Sequence, residues 1–357
     1  MIADIVKVFI ATTSSFIIGM LITPFLTDML YKYKMWKKKA GKVATDGRET
    51  PIFNELHKDK EVGTPKLGGI VIWGSVLLTT FILFLIPIFF DGDILSKLDF
   101  LSRDQTWIPV VTLFLGALIG AFDDLLEISG KGGYKAGGLS LKKRISLVFL
   151  IGLAIGYWFF AKLEVSSIAL PFGASLELGY LFIIFFAFVM VFMYSGGVID
   201  GIDGLAGGVF AVMFTTYAGI AFAQDQINLA AFCGSVAGGI LAFLWFNIPP
   251  ARFYMSETGT MALTITLTVV AFMTDKLGEG HGLLVLPVVA LPLIVTILSD
   301  VIQLTSKRFR NGKKVFLIAP LHHHFEALGW PSYKVTMRYW VLSFVFGVIG
   351  LCLALIG

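Results

Sequence analysis

Residues 178–199 read LGYLFIIFFAFVMVFMYSGGVI, an uncharged stretch of 22 residues. A helix needs about 20 such residues to cross the hydrocarbon core of a membrane. Nine further uncharged runs of similar length occupy residues 8–27, 67–90, 105–122, 145–161, 204–224, 226–251, 258–274, 282–299 and 339–357. The sequence therefore predicts an all-α integral membrane protein with about ten transmembrane helices.

The composition of the whole chain agrees with this prediction. Of its 357 residues, 57% are hydrophobic and only 15% are charged, and the mean hydropathy is +0.84. Soluble domains carry about 25% charged residues, so this chain has too few charges to cover a water-exposed surface. A membrane β-barrel would show short alternating segments, and the sequence has no such pattern. We expect a single polytopic domain that spans residues 1–357.

The basic residues are distributed unevenly between the loops on the two sides of the membrane. Alternate assignment of the loops puts 23 of the 28 Lys and Arg residues on one side and 5 on the other. The positive-inside rule makes the richer side cytoplasmic, so both termini are predicted to be extracytoplasmic. The net charge of +4 reflects this topology and attraction to anionic lipid. No nucleic-acid partner is expected.

Acidic residues interrupt or end several runs on the predicted cytoplasmic side. They are Asp123, Asp124, Asp200, Asp203 and Glu257. Adjacent carboxylates such as the first two repel each other unless a cation, a proton or a basic group offsets them. Acids at membrane depth are functional candidates, although solvated charges at a helix end are the alternative for this pair. Asp200 and Asp203 would share one face if they lay on a helix.

Two glycine-rich segments on the same side carry lysines. Residues 63–69 open the second run beside Lys60 and contain Lys66, and residues 130–138 contain Lys131 and Lys135. Helix N-termini and lysine side chains both suit a phosphate-bearing ligand. An ordinary glycine-rich helix entry and positive-inside flanking are the alternatives for these segments.

Other polar side chains on this side suit a nucleotide or a phosphate. Asn247 offers a donor and an acceptor, and Tyr254 offers a stacking surface. His322, His323 and His324 are consecutive, so they cannot all face one point on a helix, and no spaced His or Cys partners complete a zinc site. We favour donation to phosphate oxygens for the histidines, with an interfacial polar loop as the alternative.

These residues together predict an enzyme that works at the membrane surface. An oxygen-only acidic cluster suits a hard cation, and Mg²⁺ is usually held by one or two carboxylates plus substrate phosphates. The combination indicates phosphoryl or phosphosugar transfer with a lipid as one substrate. A secondary transporter also has intramembrane acids and glycine-broken helices. It is disfavoured because the acids cluster at one interface and no inverted repeat is visible.

The motifs resemble those of the polyprenyl-phosphate N-acetylhexosamine-1-phosphate transferase superfamily along nearly the whole chain. Gly63-Thr-Pro-Lys-Leu-Gly-Gly69, Asp123-Asp124 and Asp200-Gly-Ile-Asp-Gly-Leu-Ala206 identify the superfamily. His322-His-His-Phe-Glu326, followed by Gly-Trp-Pro331, is typical of its phospho-N-acetylmuramoyl-pentapeptide transferase branch.

The resemblance implies a Mg²⁺-dependent enzyme of the bacterial inner (cytoplasmic) membrane. Such an enzyme transfers phospho-MurNAc-pentapeptide from its UDP carrier to undecaprenyl phosphate, which yields lipid I and UMP. A polyprenyl-phosphate GlcNAc-1-phosphate transferase and an inactive scaffold are the alternatives. Because the family often dimerises, a homodimer is a further expectation.

The resemblance also implies a role for each motif, carried over by position. The catalytic residues implied are Asp123, Asp124, Asp200, His322, His323 and His324. The substrate-binding residues implied are Lys60, Thr64, Lys66, Lys131, Lys135, Asp203, Asn247 and Tyr254. The metal ligands implied are Glu257 and Asp200. In this scheme the aspartate pair lies near the lipid phosphate and the histidines near the pyrophosphate or the sugar, while the uridine contacts Asn247 and Tyr254.

The chain departs from the family pattern at several of these positions. The departures are Glu61, Lys66, Glu127, Gly197, Tyr254 and Glu257. Glu127 stands where the family usually has Lys, so a positive charge opposite the phosphates is missing. We hypothesise that Lys66, Lys131 or Lys135 supplies this charge.

Overall fold

The structure is a computed structural model that describes residues 1–38, 62–90, 92, 95–130, 138–170, 174–275, 277 and 280–356. Within these residues the chain is mainly helical. The helices are α1 Ile2–Lys32, α2 Gly69–Phe89, α3 Trp107–Ser129, α4 Leu141–Lys162, α5 Leu181–Tyr194, α6 Leu205–Ala223, α7 Ile227–Asn247, α8 Ser256–Met273, α9 Gly282–Val289, α10 Leu291–Phe309, α11 Leu321–Ala327 and α12 Ser332–Ile356. Short 3₁₀ turns occupy Leu95–Lys97 and Ser195–Ile199, and the second of them extends α5.

The number of spans confirms the prediction of about ten transmembrane helices. In the described part of the chain, nine helices are long and apolar enough to cross a membrane, or ten if α9 and α10 form one broken span. The run predicted at 282–299 bends by 67° between α9 and α10. Pro292 favours this break because it has no N–H to donate to the Val288 carbonyl and its ring would crowd that carbonyl in a continuous helix.

Several helices extend past the charges at which the uncharged runs stop. The helix α3 continues to Ser129 and so contains Asp123, Asp124 and Glu127. The helix α4 begins at Leu141, and Arg144 lies in its first turn. The charged side chains of these motifs therefore project from helix ends, where the backbone fixes their directions.

The helix α8 forms the centre of the bundle. In its membrane-spanning window 94% of the residues are buried, against 17% in α1. At its C-terminal half, Phe272 packs against Phe186 with ring centroids 4.3 Å apart and meets Phe182 edge-on at 5.6 Å. Because α8 is enclosed on all sides, its first turn is held firmly at the end of the bundle that carries the polar motifs, which we call the site end.

A short β-hairpin departs from the all-helical prediction. Strands β1 Ser167–Ala169 and β2 Ser175–Glu177 pair antiparallel between α4 and α5, at the end of α4 far from Arg144. The carboxylate of Asp275 accepts a hydrogen bond from the Ala169 N–H at 2.9 Å. Two strands of three residues are too short to leave a sequence signal, and this tertiary contact helps to hold them.

Candidate active site

The C-terminal end of α3 carries three acids, two of which face a lysine from the segment before α2. The Lys66 Nζ lies 2.6 Å from Glu127 Oε2 and 3.7 Å from Asp124 Oδ1. Burial alone would lower the pKa of Lys66, but the carboxylates of Glu127 and Asp124 outweigh it and hold that pKa above its usual range. Lys66 therefore stays positively charged and offsets the acids of α3.

Arg144 in the first turn of α4 bridges the remaining acids. Its guanidinium donates a hydrogen bond to Glu257 and lies 3.5 Å from Asp123 Oδ2. The other oxygen of Asp123 accepts a hydrogen bond from the Leu139 N–H. Sequence reasoning misses Arg144 because basic residues beside a span are expected from the positive-inside rule alone.

The first turn of α8 connects the separate acidic motifs. The Ser256 N–H donates to Asp200 Oδ2 at 2.8 Å. Two residues later, the N–H and the hydroxyl of Thr258 both donate to Asp124 Oδ2, at 2.9 and 2.6 Å. Glu257 lies between these two residues, so acids from three motifs meet at one helix N-terminus. The helix dipole of α8 favours negative charge at this position.

A glycine on α3 allows this meeting. A Cβ placed on Gly120 would lie 2.1 Å from the carbonyl oxygen of Glu257, far inside van der Waals contact. The two helices therefore approach backbone to backbone, one turn before Asp123 and Asp124. Any side chain at position 120 would push the start of α8 away from the aspartate pair.

We call Asp123, Asp124, Glu127, Glu257, Lys66 and Arg144 the acidic cluster. Its four carboxylates and two cations leave an excess of two negative charges among the described residues. Its carboxylates offer only oxygen atoms as metal ligands, and these are the ligands that Mg²⁺ prefers. One of these oxygens, the buried Asp124 Oδ1, accepts no hydrogen bond. No three His, Cys, Asp or Glu side chains in the described part are grouped closely enough to hold a metal ion as arranged. The donor chemistry fits a divalent cation, but no closed metal cage is preformed.

Asp200 and Asp203 lie in a turn between the second 3₁₀ segment and α6, so the expectation of a shared helix face is not met. Gly204 ends this turn with a φ of +76°, a left-handed conformation that favours glycine. The carboxylate of Asp203 accepts from the Ala251 N–H at 3.2 Å, while that of Asp200 accepts from α8. Both carboxylates therefore bind the segment that leads from α7 to α8.

Asn247 and Tyr254 lie at the two ends of the same segment. Both polar atoms of Asn247 are used within the protein, since Oδ1 accepts from the Gly204 N–H at 2.9 Å and Nδ2 donates to the Phe253 carbonyl at 2.8 Å. Tyr254 is half-buried, and its N–H donates to the Pro65 carbonyl at 2.8 Å. The predicted contact of these two residues with uridine stays a prediction.

The histidine run forms the short helix α11. The Nδ1 atom of His323 lies 2.7 Å from Glu326 Oε2, and the Ser332 hydroxyl donates to the other oxygen of Glu326 at 2.6 Å. A Cβ on Gly201 would lie 2.4 Å from His322 Nε2 and 2.6 Å from His323 Nε2. The two histidines therefore abut the Asp200–Asp203 turn. We call His322, His323, Glu326 and Ser332 the histidine cluster.

His324 serves a different segment. Its Nδ1 accepts a hydrogen bond from the Leu317 N–H at 3.2 Å, and its ring meets Phe316 edge-on with centroids 5.4 Å apart. Three successive histidines on one helix point in different directions, as the sequence predicts. Two of them reach the Asp200–Asp203 turn, and the third packs against the loop before α11.

Of the lysines predicted to bind substrate, Lys66 lies within the described residues. Lys60, Lys131 and Lys135 lie outside the described residues, so their substrate contacts stay predictions. Thr64 is half-buried, two residues before Lys66. Of the three lysines hypothesised to replace the missing base at position 127, Lys66 lies beside the aspartate pair.

Four further residues of the site were missed by sequence reasoning. They are Ser256, Thr258, Glu326 and Ser332. Glu326 has a usable signal, because a residue three positions after His323 shares its helix face. Ser256, Thr258 and Ser332 act through individual hydrogen bonds, most of them to residues far away in the chain. Such bonds leave no pattern in the sequence.

The fold is that of an integral membrane protein, and comparison with known proteins adds that it is a transferase. Residues 106–275 match the family model of Glycosyl transferase family 4. This segment runs from the start of α3 to the end of α8 and contains Asp123, Asp124, Asp200 and Glu257.

Relatives that match along the whole chain identify the family. A phospho-N-acetylmuramoyl-pentapeptide-transferase of Chloroflexus aurantiacus is 30% identical over 100% of this chain and 92% of its own length. Proteins of the same name from Geobacillus sp. and Listeria innocua are 30% and 29% identical, each over 96% of both chains. The chain belongs to the phospho-N-acetylmuramoyl-pentapeptide transferase family. It is a multi-pass membrane enzyme of the phosphoglycosyl transferase class, which is generally metal-dependent.

Proposed function

We propose that this chain transfers phospho-MurNAc-pentapeptide from UDP-MurNAc-pentapeptide to undecaprenyl phosphate, forming lipid I and releasing UMP. The net reaction joins a phosphate oxygen of the lipid to the β-phosphorus and breaks the bond from that phosphorus to UMP. The acidic cluster is the observation that carries the proposal, because it concentrates carboxylates and two fixed cations at one end of the bundle. The family supplies the identity of the substrates.

Within the acidic cluster, Lys66 and Arg144 keep the carboxylates close together despite their repulsion. Asp123 and Asp124, at the end of α3, are proposed to contact the lipid phosphate. Glu257 and Asp200, joined through Ser256, are the proposed ligands of Mg²⁺, with Asp123 beside them. When bound, Mg²⁺ would neutralise charge on the pyrophosphate and on the departing UMP.

The histidine cluster is proposed to bind the pyrophosphate or the sugar. Glu326 binds Nδ1 of His323. This contact orients the ring so that Nε2 faces the Asp200–Asp203 turn. Asn247 and Tyr254 are proposed to hold the uridine. Catalysis of this kind depends on positioning and on preorganised charge, because the protein has little covalent chemistry to perform.

The remaining polar residues are proposed to assist in substrate binding. They are Lys60, Thr64, Lys66, Lys131, Lys135 and Asp203. Lysine is a point charge that binds phosphate oxygens without a fixed orientation, which suits a pyrophosphate.

We place the site end at the cytoplasmic face of the bacterial inner membrane, with both termini outside, because 23 of the 28 basic residues lie in loops on that side. Single cysteines in a cysteine-free background test this topology. A cysteine at exposed Lys313 should react with a membrane-impermeant maleimide only in inverted vesicles, and one at Glu177 only in intact cells. The opposite pattern would reverse the topology.

The activity test uses the full-length protein purified in detergent. UMP release is measured with Mg²⁺ and undecaprenyl phosphate, in parallel reactions with UDP-MurNAc-pentapeptide and with UDP-GlcNAc. Release with the pentapeptide substrate alone is the expected result. Detergent abolishes any membrane gradient, so turnover under these conditions also excludes a transporter.

Two other outcomes would overturn the proposal. Release with UDP-GlcNAc alone would identify a GlcNAc-1-phosphate transferase. Release with neither donor, from protein that shows a cooperative thermal transition, would indicate a scaffold. The homodimer implied by the family is tested on the same sample by light scattering.

A further inference from the structure

Trp330, in the loop between α11 and α12, carries two cations on its ring. The guanidinium carbon of Arg338 lies 4.0 Å from the ring centroid, and the Lys334 Nζ lies 5.2 Å from it. Phe325 stacks on the same indole at 4.8 Å with an interplanar angle of 14°. The indole is therefore a rigid platform, and cation–π attraction fixes the two charges beside each other.

The two cations differ from the other basic residues of the site in their partners. In the described part of the chain no acidic side chain forms an ion pair with Lys334 or Arg338, and both side chains are exposed. This differs from Lys66 and Arg144, which both bind carboxylates. Two fixed positive charges without a counter-ion suit a phosphate group, and an arginine held by its planar face keeps its N–H edges available for phosphate oxygens.

The ligand must also fit the helix surface that follows. Residues 334, 338, 341 and 345 are three or four apart, so they lie along one face of α12. Val341 is 61% exposed and Val345 is 45% exposed, and both lie in the uncharged run 339–357 of the chain. The face therefore places two cations at the membrane surface and apolar side chains below them, which is the polarity of a phospholipid molecule.

We propose that Lys334 and Arg338, held on Trp330, bind the phosphodiester headgroup of an anionic phospholipid whose acyl chains lie along α12. The cations make no ion pair with the acidic cluster, and the face opens sideways to the bilayer. Both observations favour a lipid of the bulk membrane over the polyprenyl phosphate acceptor. The inference requires the membrane fold alone, so it holds whichever UDP-sugar the enzyme uses.

Such a lipid would act on the site through α12. The Trp340 indole N–H donates to the Gly204 carbonyl at 3.0 Å, and the Thr336 hydroxyl donates to the Asp203 carbonyl at 3.2 Å. These two bonds hold the Asp200–Asp203 turn against the first part of α12. A headgroup bound at Lys334 and Arg338 would steady that part of the helix, so UMP release is expected to rise with the content of anionic lipid.

The test follows the fluorescence of Trp330 in nanodiscs. The full-length protein is placed in phosphatidylcholine discs that contain increasing fractions of bromine-labelled phosphatidylglycerol, or labelled phosphatidylcholine at equal bromine content. Subtracting the signal of Trp330→Phe in each background isolates Trp330. The expected result is preferential quenching by phosphatidylglycerol. Its apparent affinity should exceed that of phosphatidylcholine by about fivefold for each of the two cations.

A charge-matched control separates this site from general surface charge. The double variant Lys334→Gln with Arg338→Gln should lose both the preference and the rise in UMP release. The variant Lys307→Gln with Arg308→Gln removes the same two charges at the end of α10, where Arg308 also lies over an aromatic ring, and it should keep both. Equal effects of the two double variants would overturn the proposal, as would equal quenching by the two labelled lipids.

A competition arm distinguishes the two lipid sources. Unlabelled undecaprenyl phosphate and unlabelled phosphatidylglycerol are added separately to discs that contain labelled phosphatidylglycerol. Under the proposal the two displace the label at similar mole fractions, as expected for a headgroup site without polyprenyl selectivity. Displacement by undecaprenyl phosphate at a mole fraction ten times lower would assign the site to the acceptor and overturn the phospholipid assignment.

Discussion

The acidic cluster and the histidine cluster differ in how their contacts are distributed along the chain. In the acidic cluster, hydrogen bonds join residues 61, 113 and 134 positions apart. In the histidine cluster, the bonds of Glu326 reach residues 3 and 6 positions away. The first cluster exists only when distant helices pack correctly, whereas much of the second forms within one short helix and its loop. Substitutions should therefore have larger and more strongly coupled effects in the acidic cluster.

The largest effect is expected from neutralising the acidic cluster. Asp124→Asn and Glu257→Gln should each lower the kcat for UMP release at least about 100-fold, the scale on which loss of a preorganised electrostatic group acts. Asp225→Asn is the matched control, because Asp225 is exposed at the other end of α6 and asparagine tolerates its φ of +56°. Turnover of Asp124→Asn within a few-fold of the control would remove Asp124 from the catalytic set.

The pair of Lys66 and Glu127 tests the predicted coupling. Lys66→Glu alone should lower kcat/KM for undecaprenyl phosphate about 30-fold, since it places an unpaired acid beside Asp124 and removes the charge opposite the phosphate. The exchange of both charges, Lys66→Glu with Glu127→Lys, should recover activity to within about fivefold of wild type. A coupling free energy of about 1–3 kcal/mol is typical of residues in one network.

Two results of this cycle would contradict the comparison. If the double variant loses as much as the product of the single losses, the two side chains act independently. If Lys66→Glu retains full activity in a folded protein, the missing positive charge comes from another residue, and Lys131→Ala and Lys135→Ala are the next variants to assay.

A smaller effect is expected at Gly201, where the Asp200–Asp203 turn abuts the histidine cluster. Gly201→Ala should lower kcat about tenfold, because the added methyl would displace the rings of His322 and His323. Gly197→Ala is the control in the same segment, since its Cβ would lie 3.4 Å from Thr260 in ordinary contact. Equal activities of the two variants would show that the histidines need not abut this turn.

The smallest effects are expected within the histidine cluster. Glu326→Gln keeps the shape but removes the charge that orients His323, and should lower kcat about fivefold. Ser332→Ala removes one hydrogen bond to the Glu326 carboxylate but leaves its contact with His323, and should lower kcat about threefold. A double variant of Glu326→Gln with Asp124→Asn should show losses that add in free energy within about 0.5 kcal/mol. Strong coupling there would merge the two clusters into one unit.

The number of spans and the side of the bundle that carries the motifs could be predicted from residue order alone. Uncharged runs such as 178–199 must leave water, and a run of that length has few alternatives to a membrane-spanning helix. The charged residues that end the uncharged runs do not mark the ends of the helices. Asp123, Asp124 and Arg144 stay helical because each finds a partner of opposite charge or a hydrogen-bond donor across the bundle.

Local chemistry thus determined the membrane class, the motifs and the directions of the three histidines, because these depend on residues close together in the chain. Packing alone decided that Arg144 and Lys66 meet the acids of α3 and α8, and that the first turn of α8 joins three motifs. Such contacts depend on the distances between helices, which neither composition nor spacing encodes. Gly120 shows the physical reason: the absence of one Cβ brings two helices together and puts the acids of distant segments within hydrogen-bonding range.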